Sequence, residues 1–433
     1  MFGGRRLVVP ARKLSGELSL PGDKSISHRA LILAALSTGT SQIEGLSPGA
    51  DVAATAIALR AMGVEVNSRE SVEVVGVGLN GLSRPQDSLY CGNSGTTMRL
   101  LAGLLAAQPF SSRLAGDASL CRRPMARIIE PLRAMGAAVV AEGGDGRAPL
   151  AIAGAGLLGI EHHSPVASAQ VKSCLLLAAL YARGRTTLYE PHLSRDHSER
   201  MLASFGVELS RFSGGVALEG PQQPQAPSHI VVPGDISAAA FFLVAAAIRP
   251  GSSLWLRRVG INETRSGVLD VLERAGVPVQ HSQARFESGE PMADLYIEGG
   301  QPVAFEVGPD LVPRLIDELP VLAVLAGFAV GRSVISGAAE LRAKESDRIA
   351  STAKLLRVLG VAVEERPDGL VIEGRAGQPF SGGVVDCMGD HRLAMSAAIA
   401  ALAAESSIEI SGSDAVATSF PGFFEQLESC CDR

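Results

Sequence analysis

Positively charged side chains stand at or near the predicted starts of several helices in this 433-residue sequence. In residues 21–30, Lys24 precedes a predicted helix, Ser25 is its expected N-cap and Arg29 lies about one turn further on. The free N–H groups of a helix start favour an anion, and a lysine with an arginine strengthens such a site. The decapeptide therefore predicts an anion-binding site rather than a capped helix with solvated charges.

Two further helix starts carry polar groups suited to a ligand. Residues 91–99 include Gly92 and Gly95, which let the backbone approach a bound molecule closely. Residues 168–172 include Gln170, whose amide can donate and accept hydrogen bonds within the same turn. Taken alone, either segment is also compatible with a simple helix cap.

Arginines between these segments add candidate partners for phosphate and carboxylate groups. Arg123 and Arg195 each offer a planar fork that binds such anions bidentately, although a surface salt bridge is the alternative for each. The sequence has no P-loop, no dinucleotide-binding fingerprint and no metal-ligand spacing.

The second half of the chain adds candidate acid–base groups. Asp317 lies in an apolar pattern that predicts a continuous helix, and residues 344–348 are predicted to form one charged helical turn. A further helix is predicted to open on residues 390–392, with Arg392. A solvated charged turn is the alternative for residues 344–348. Cations outnumber carboxylates in the whole set, which suits two polyanionic substrates held together with acid–base groups between them.

Composition narrows the class of protein. Hydrophobic residues make up 46% and charged residues 19% of the chain, as in a well-packed soluble protein. The net charge of −6 and the 4% aromatic content argue against a nucleic-acid binder. The longest apolar run, residues 238–248, is too short to cross a bilayer, and no secretory signal is expected. Six cysteines without CxxC spacing indicate reduced thiols, so the expected location is the cytoplasm.

One short sequence motif recurs along the chain: a helix end, a glycine and the start of a strand. Its copies begin at Leu59, Leu132, Leu202, Leu272 and Leu356. Upstream of these copies lie helices of small apolar residues, predicted over 25–36, 94–107, 168–182, 237–248, 312–330 and 390–404. The near-constant interval of roughly 70 residues indicates duplication of one unit, with ordinary α/β crossovers as the alternative.

The sixth copy of this unit is incomplete, because no strands follow its last helix. The predicted N-terminal strands, residues 7–10 and 16–20, are expected to complete it. This arrangement predicts one domain from residues 1–20 plus 233–433 and an inserted domain from residues 21–232.

Six segments together resemble the signatures of the 5-enolpyruvylshikimate-3-phosphate (EPSP) synthase family, in the order that the family has them. They are residues 21–30, 93–99, 123–124, 168–170, 344–348 and 390–392. The resemblance implies an α/β fold with two similar domains, each of three βαβαββ repeat units, and an active site in the cleft between the domains. That agrees with the repeats found in the sequence itself.

The resemblance also implies a reaction without metal or cofactor. The 5-hydroxyl of shikimate 3-phosphate adds to C2 of phosphoenolpyruvate, and phosphate leaves from a tetrahedral intermediate. This step belongs to the shikimate pathway of aromatic amino acid biosynthesis. A monomer is expected, with these two small molecules as its binding partners and no nucleic acid or membrane.

Roles for individual residues follow from the same resemblance. The residues expected to bind shikimate 3-phosphate are Lys24, Ser25, Arg29, Ser168, Ala169, Gln170, Arg195, Asp317 and Lys344. Those expected to bind phosphoenolpyruvate are Lys24, Gly95, Arg123, Gln170, Arg348 and Arg392. Asp317 is expected to be the base near the 5-hydroxyl and Glu345 the acid that protonates the methylene carbon, with Lys24 as a third proton-exchanging group.

Three positions depart from the pattern of many family members. Ala169 replaces a serine, so that any contact there comes from the backbone; Glu340 replaces an asparagine; and Thr418 replaces a lysine that contacts phosphoenolpyruvate. Ala169, Lys172 and residues 195–199 together resemble a distinct branch of the family. Glyphosate inhibits this family at the phosphoenolpyruvate site.

Two other functions remain to be weighed. The UDP-N-acetylglucosamine enolpyruvyl transferases have the same fold but lack the Lys24-Ser25 pattern, and their reactive cysteine corresponds to Ala118. A non-catalytic sensor of phosphorylated metabolites would need the anion sites but neither Asp317 nor Glu345.

Overall fold

A computed structural model describes residues 3–68 and 71–432 of the chain. The chain divides into two compact units: unit 1 comprises Met1–Pro21, Pro233–Arg285 and Pro291–Arg433, and unit 2 comprises Gly22–Val232 and Phe286–Glu290. No helix among the described residues is long and apolar enough to cross a bilayer.

The unit boundaries differ from the expected domain boundaries at Pro21 and at Phe286–Glu290. The carbonyl of Pro21 accepts a hydrogen bond from the backbone N–H of Asp235, in unit 1. In unit 2, Ser288 accepts a hydrogen bond from the N–H of Val231. These pairings join residues far apart in sequence, so repeat spacing does not reveal them.

The strands are numbered in chain order. They are β1 (Arg5–Val8), β2 (Lys13–Ser19), β3 (Thr38–Glu44), β4 (Glu65–Ser68), β5 (Val72–Val77), β6 (Leu89–Tyr90), β7 (Ser111–Ala115), β8 (Ala138–Ala141), β9 (Leu150–Ala153), β10 (Glu161–His163), β11 (Gly184–Tyr189), β12 (Leu209–Phe212), β13 (Gly215–Gly220), β14 (His229–Val231), β15 (Ser253–Gly260), β16 (Gln280–Glu287), β17 (Glu290–Glu298), β18 (Glu306–Val307), β19 (Arg332–Ile335), β20 (Ala362–Arg366), β21 (Gly369–Glu373), β22 (Gly383–Asp386), β23 (Ile408–Ser411) and β24 (Cys431–Asp432).

The α-helices are numbered in the same way. They are α1 (Lys24–Leu36), α2 (Ala50–Ala61), α3 (Gly95–Leu105), α4 (Ala126–Ala134), α5 (Ala169–Ala179), α6 (His197–Ser204), α7 (Ile236–Ala247), α8 (Gly267–Arg274), α9 (Val312–Leu315), α10 (Leu319–Phe328), α11 (Arg348–Val358), α12 (His391–Leu402) and α13 (Phe423–Cys430). Short 3₁₀ helices cover Leu120–Arg122, Ala339–Ala343 and Ser413–Thr418.

The predicted βαβαββ unit is confirmed by the order of the strands. Unit 2 contains three four-stranded sheets, β14-β3-β5-β4, β6-β7-β9-β8 and β10-β11-β13-β12. Each begins with a parallel pair and continues with two antiparallel pairs. The second strand of each parallel pair directly follows a helix.

Unit 1 contains the other three sheets, β16-β17-β15-β2-β24, β18-β19-β21-β20 and β1-β23-β22. The two N-terminal strands join different sheets. β1 pairs antiparallel with β23, whereas β2 lies parallel to β15 and antiparallel to β24. The first strands of the chain thus complete sheets whose other strands come from its second half.

The glycines of the recurring sequence motif end helices in the left-handed conformation, as predicted. All five adopt positive φ, between 75° and 109°, at Gly63, Gly136, Gly206, Gly276 and Gly360. Glycine adopts this left-handed conformation without the steric penalty of a Cβ, so the chain leaves each helix and enters the next strand.

Six helices of small apolar residues form the cores: α1, α3 and α5 in unit 2, and α7, α10 and α12 in unit 1. α7, α10 and α12 bury every residue. In the unit 2 helices, the residues that are not buried all lie in the first turns: Lys24, Ser25, Thr96, Arg99, Ala169 and Gln170. A helix that is apolar all round must be enclosed, which leaves only its polar start available to a ligand.

Three local predictions are wrong. Asp317 lies in a turn between α9 and α10, because Pro320 lacks an N–H and its ring disfavours a continuous helix. Residues 344–346 form bends rather than a helical turn, and α11 begins at Arg348 after the N-cap Asp347. The N-cap of α1 is Asp23, whose side chain accepts a hydrogen bond from the N–H of Ile26, and not Ser25.

Candidate active site

In unit 2, the start of α1 carries Lys24, Ser25 and Arg29 on a buried polar framework. Lys24 Nζ lies 2.9 Å from Asp51 Oδ2, at the start of α2. The guanidinium of Arg29 donates to Ser25 O at 2.7 Å, to Ser198 Oγ at 2.8 Å and to Ser173 Oγ at 2.5 Å. Arg29 thereby ties α1 to α5 and α6.

Burial weakens the proton affinity of Arg29. Removal from water lowers its pKa to about 10, a shift that nearby Arg195 reinforces and that Asp23 and Glu199 oppose. The guanidinium remains charged at neutral pH. It is therefore a buried cation, a group that an anionic substrate would help to compensate.

The starts of α3 and α5 face each other through side-chain hydrogen bonds. Gln170 Oε1 accepts from Arg99 Nη1 at 2.5 Å, and Gln170 Nε2 donates to Thr96 Oγ1 at 2.9 Å. A Cβ added to Gly95 would lie 2.7 Å from Arg99 Nη1 and 3.3 Å from Arg123 Nη1. Gly95 is thus the point at which two guanidinium groups approach the backbone of α3.

Other predicted residues of unit 2 are placed around these helix starts. Arg123 is buried and donates to Asn93 Oδ1, which explains why an asparagine stands before α3. Ser168 is the N-cap of α5 and accepts a hydrogen bond from the N–H of Val171. Ala169 is the first residue of α5, and Arg195 follows the buried Ser194 just before α6. Unit 2 therefore brings its nine predicted residues onto the starts of α1, α3, α5 and α6 and the segment before α4.

In unit 1, a single buried guanidinium joins three carboxylates. Arg348 contacts Asp390 through Nε and Nη2 at 2.8 and 3.2 Å, Glu345 Oε2 at 2.6 Å and Asp317 Oδ1 at 3.3 Å. Lys344 Nζ also donates to Asp317 Oδ1, at 3.0 Å. Burial alone would lower the pKa of Arg348, but Asp390 and Glu345 outweigh it and raise that pKa above its usual value.

Arg392 is held beside this group through a residue that the sequence did not single out. Its Nη1 lies 3.7 Å from Glu318 Oε1, and its Cζ is 6.0 Å from the centre of the Phe241 ring. Glu318 is fully buried and also accepts from Arg265 Nη1 at 2.8 Å and from Ser237. All five predicted residues of unit 1 therefore lie in one set of contacts or next to it.

The supporting residues escaped sequence reasoning, with one partial exception. Asp51, Ser173, Ser198 and Glu318 hold predicted site residues through contacts between distant parts of the chain. The adjacent pair Asp317-Glu318 was a usable signal, because a second acid in an apolar segment must find a cation or a hydrogen-bond donor. Within the described residues, no group of three or more His, Cys, Asp or Glu side chains is placed to hold a metal ion.

Comparison with known proteins identifies the family. The family model described as EPSP synthase (3-phosphoshikimate 1-carboxyvinyltransferase) matches residues 8–427. A 3-phosphoshikimate 1-carboxyvinyltransferase of Geobacter sp. (strain M21) is 50% identical over 427 residues, covering 98% of this chain and 99% of that protein. One from Synechococcus sp. (strain RCC307) is 53% identical over 424 residues, covering 96% of each.

Solved structures agree with this result. EPSP synthase from Acinetobacter baumannii superposes with a TM-score of 0.88 at 43% identity, covering 99% of this chain and 98% of that one. The enolpyruvyl transferase NikO from Streptomyces tendae has a TM-score of 0.81 at 18% identity, over 99% and 98% of the two chains, and shares the fold. With nearly its whole length matched by the family model and by relatives at about 50% identity, the chain belongs to the EPSP synthase family of 3-phosphoshikimate 1-carboxyvinyltransferases.

Proposed function

We propose that the two units divide the work of the family's reaction, with unit 2 supplying most of the cations that bind the substrates and unit 1 supplying the two acid–base carboxylates. The reaction transfers the enolpyruvyl group of phosphoenolpyruvate to the 5-hydroxyl of shikimate 3-phosphate and releases phosphate. The observation that carries the proposal is the contact of Arg348 with Asp317 and Glu345, because it joins a phosphoenolpyruvate-binding cation to both acid–base candidates.

Shikimate 3-phosphate binds through side chains at the starts of α1, α5 and α6, and through two residues of unit 1. These residues are Lys24, Ser25, Arg29, Ser168, Ala169, Gln170, Arg195, Asp317 and Lys344. Ala169 contributes through its backbone, and the arginines bind the anionic groups of the substrate with bidentate hydrogen bonds. The buried Arg29 supports this assignment, because a bound anion would offset the cost of its burial.

Phosphoenolpyruvate binds where Gly95 leaves room for Arg99 and Arg123. The residues assigned to it are Lys24, Gly95, Arg123, Gln170, Arg348 and Arg392. A guanidinium held by a carboxylate keeps its orientation, and both Arg348 and Arg392 have such a neighbour, Asp390 and Glu318 respectively. Preorganised cations of this kind stabilise the charge that develops on the departing phosphate.

The proton transfers fall to three residues. Asp317 accepts the proton of the 5-hydroxyl as its oxygen bonds to C2 of phosphoenolpyruvate, and Glu345 gives a proton to the methylene carbon. The tetrahedral intermediate then loses phosphate, and the methyl carbon returns a proton to the Glu345 carboxylate as the carbon–carbon double bond forms again. Lys24, the first residue of α1, is the third proton-exchanging group. Its contact with Asp51 holds it at the helix start.

We further propose that the protein acts in the cytoplasm, as its six cysteines without CxxC spacing indicate, and that it is a monomer, as the resemblance to its family implies. Sedimentation equilibrium across a range of concentrations tests the second point, and a concentration-dependent mass would refute it.

One assay tests the reaction. Phosphate release from phosphoenolpyruvate is measured with shikimate 3-phosphate, with UDP-N-acetylglucosamine or with no acceptor. We expect release only with shikimate 3-phosphate. Release with the nucleotide sugar would move the protein to the rival transferases, and binding of shikimate 3-phosphate without release in any arm would indicate a sensor.

A further inference from the structure

Lys172 lies on α5 behind the proposed substrate groups and is surrounded by acceptors. Its Nζ lies 2.8 Å from Glu190 Oε2 and 2.7 Å from Glu199 Oε1, and donates to Ser194 O at 3.4 Å. The exposed fractions of the three charged side chains are 3%, 5% and 4%. An ammonium has three N–H donors, and three acceptors surround this one. Lys172 therefore has no donor left for a substrate.

The same acceptors fix the segment that carries Arg195. Glu190 accepts hydrogen bonds from both the N–H and the hydroxyl of Ser194, while Lys172 donates to the carbonyl of Ser194. Ser194 is thus held at its backbone and its side chain, and Arg195 is the next residue. Glu199, the other partner of Lys172, lies in the first turn of α6, so Arg195 is anchored on both sides.

Arg29 is held in place by the sequence neighbours of Lys172 and Glu199. Ser173 follows Lys172 on α5 and accepts from Arg29 Nη2, and Ser198 precedes Glu199 on α6 and accepts from Arg29 Nε. Arg195 and Glu199 both lie close enough to Arg29 to shift its pKa in opposite directions. Arg29 therefore lies within electrostatic reach of both Arg195 and the carboxylate of Glu199 that Lys172 contacts.

We propose that Lys172 is a positioning residue that neutralises Glu190 and Glu199 and so holds Arg195 in the position from which it binds shikimate 3-phosphate. This inference rests on the proposed function, in which Arg195 binds that substrate. Without the ammonium, two buried carboxylates would lack their shared cation and would attract the nearest arginines instead. Arg195 would then turn away from the substrate.

A double-mutant cycle tests the proposal with Lys172→Met, Arg195→Ala and the combination of both. Dissociation constants for shikimate 3-phosphate are measured by calorimetry, together with kcat and the KM for phosphoenolpyruvate. We expect Lys172→Met to weaken shikimate 3-phosphate binding about tenfold and to change the other two constants by less than about threefold. The double variant should bind no more weakly than Arg195→Ala alone. Lys354→Met, at an exposed lysine of α11, is the matched control and should change nothing.

The outcomes separate this inference from the proposed function. If Arg195→Ala leaves binding of shikimate 3-phosphate intact, the assignment of Arg195 is wrong. If Arg195→Ala weakens binding but Lys172→Met does not, or if the two effects simply add, the positioning role is overturned.

A second set of variants distinguishes neutralisation from simple packing. Adding Glu199→Gln to Lys172→Met removes one of the two unpaired carboxylates, and it should restore binding to within about threefold of the wild type. A packing role predicts no such rescue.

Should Lys172→Met fail to fold, Ser194→Ala removes only the hydroxyl that donates to Glu190. It should weaken binding about threefold, and not at all in the Arg195→Ala background; an unchanged constant for Ser194→Ala would overturn the proposal.

Discussion

Arg348 donates to both carboxylate oxygens of Asp390, from Nε at 2.8 Å and from Nη2 at 3.2 Å, and both side chains are buried. Asp390 is also the N-cap of α12, because its Oδ1 accepts from the N–H of Arg392 at 2.9 Å. One carboxylate therefore orients an arginine at the start of α11 and caps the helix that carries another arginine. The two phosphoenolpyruvate-binding arginines proposed for unit 1 are linked through Asp390.

The first prediction concerns this carboxylate. Asp390→Asn keeps the size of the side chain but leaves Arg348 without its bidentate partner. We expect the free energy of unfolding to fall by about 3–5 kcal/mol, as for other broken buried pairs, and the KM for phosphoenolpyruvate to rise. Urea denaturation and steady-state kinetics measure the two effects.

The control for this variant is an ion pair near the surface of the same unit. Asp270 lies 2.5 Å from Arg314, with side chains 37% and 30% exposed. Asp270→Asn should cost no more than about 1 kcal/mol. Equal losses for the two variants would contradict the role assigned to Asp390.

The second prediction separates chemistry from binding in the proposed acid–base groups. Asp317→Asn and Glu345→Gln retain their shape but lose the ability to exchange a proton. We expect each to lower kcat by about 10²–10⁴-fold with smaller changes in KM. Lys24→Met should impair kcat and both KM values. Glu364→Gln, at an exposed carboxylate paired with Arg366, should leave all constants unchanged. Near wild-type turnover in Asp317→Asn would mean that the base lies elsewhere.

Sequence reasoning succeeded where a local pattern repeats and failed where a contact is distant. The glycines after Met62 and Leu359 marked helix ends correctly, because a positive φ depends on the residue itself. Helices were predicted at six places for the same local reason. The partner of Arg348, by contrast, lies 42 residues away, and only the assembled fold brings it near.

The helix containing Asp317 failed for a different reason. The apolar residues around it continue the helical period, but Pro320 removes a backbone donor and divides the segment into α9 and α10. The carboxylate therefore lies in the turn, where Lys344 and Arg348 reach it. Residue type predicted a functional acid here, and Pro320 was the signal that would have predicted the break in the helix.

The third prediction uses a buried histidine to explain sensitivity to acid. His28 is fully buried, with Nδ1 2.7 Å from Thr55 Oγ1, and burial beside Lys24 and Arg29 lowers its pKa well below 6.5. Above pH 6.5 the ring is neutral in both folded and unfolded chains. Below pH 6.5 the unfolded chain takes up a proton that the folded chain does not, so stability is lost as the pH falls. This one group contributes a slope of up to about 1.4 kcal/mol per pH unit.

His28→Asn places an amide that can still bond to Thr55 and removes the titrating ring. We expect it to flatten the decline in unfolding free energy between pH 6.5 and 5, measured by urea denaturation at several pH values. His281→Asn, at an exposed histidine, should leave the slope unchanged. An unaltered slope in His28→Asn would show that other groups cause the acid sensitivity.

The fourth prediction concerns discrimination at Gly95. A methyl group there would lie 2.7 Å from Arg99 Nη1 and 3.3 Å from Arg123 Nη1, which are the ends of flexible side chains. Both guanidinium groups must shift, but the backbone of α3 need not.

A longer ligand in the phosphoenolpyruvate site, such as glyphosate, has less room to follow that shift than phosphoenolpyruvate has. Overpacking typically costs about 1–3 kcal/mol, or roughly 5- to 150-fold in affinity. We therefore expect Gly95→Ala to raise the inhibition constant of glyphosate by a larger factor than the KM for phosphoenolpyruvate.

The matched control for Gly95→Ala is Gly156→Ala, because a Cβ at Gly156 meets no atom within 4 Å. Inhibition and KM are measured on the wild type and both variants under the same conditions. Since Arg99 Nη1 also donates to Gln170, a modest rise in the KM for phosphoenolpyruvate is expected as well. The ratio of the two changes is therefore the informative quantity, because displacement of Arg99 affects both ligands whereas steric exclusion affects the longer one. Equal changes in both constants would place Gly95 outside the part of the site where the two ligands differ.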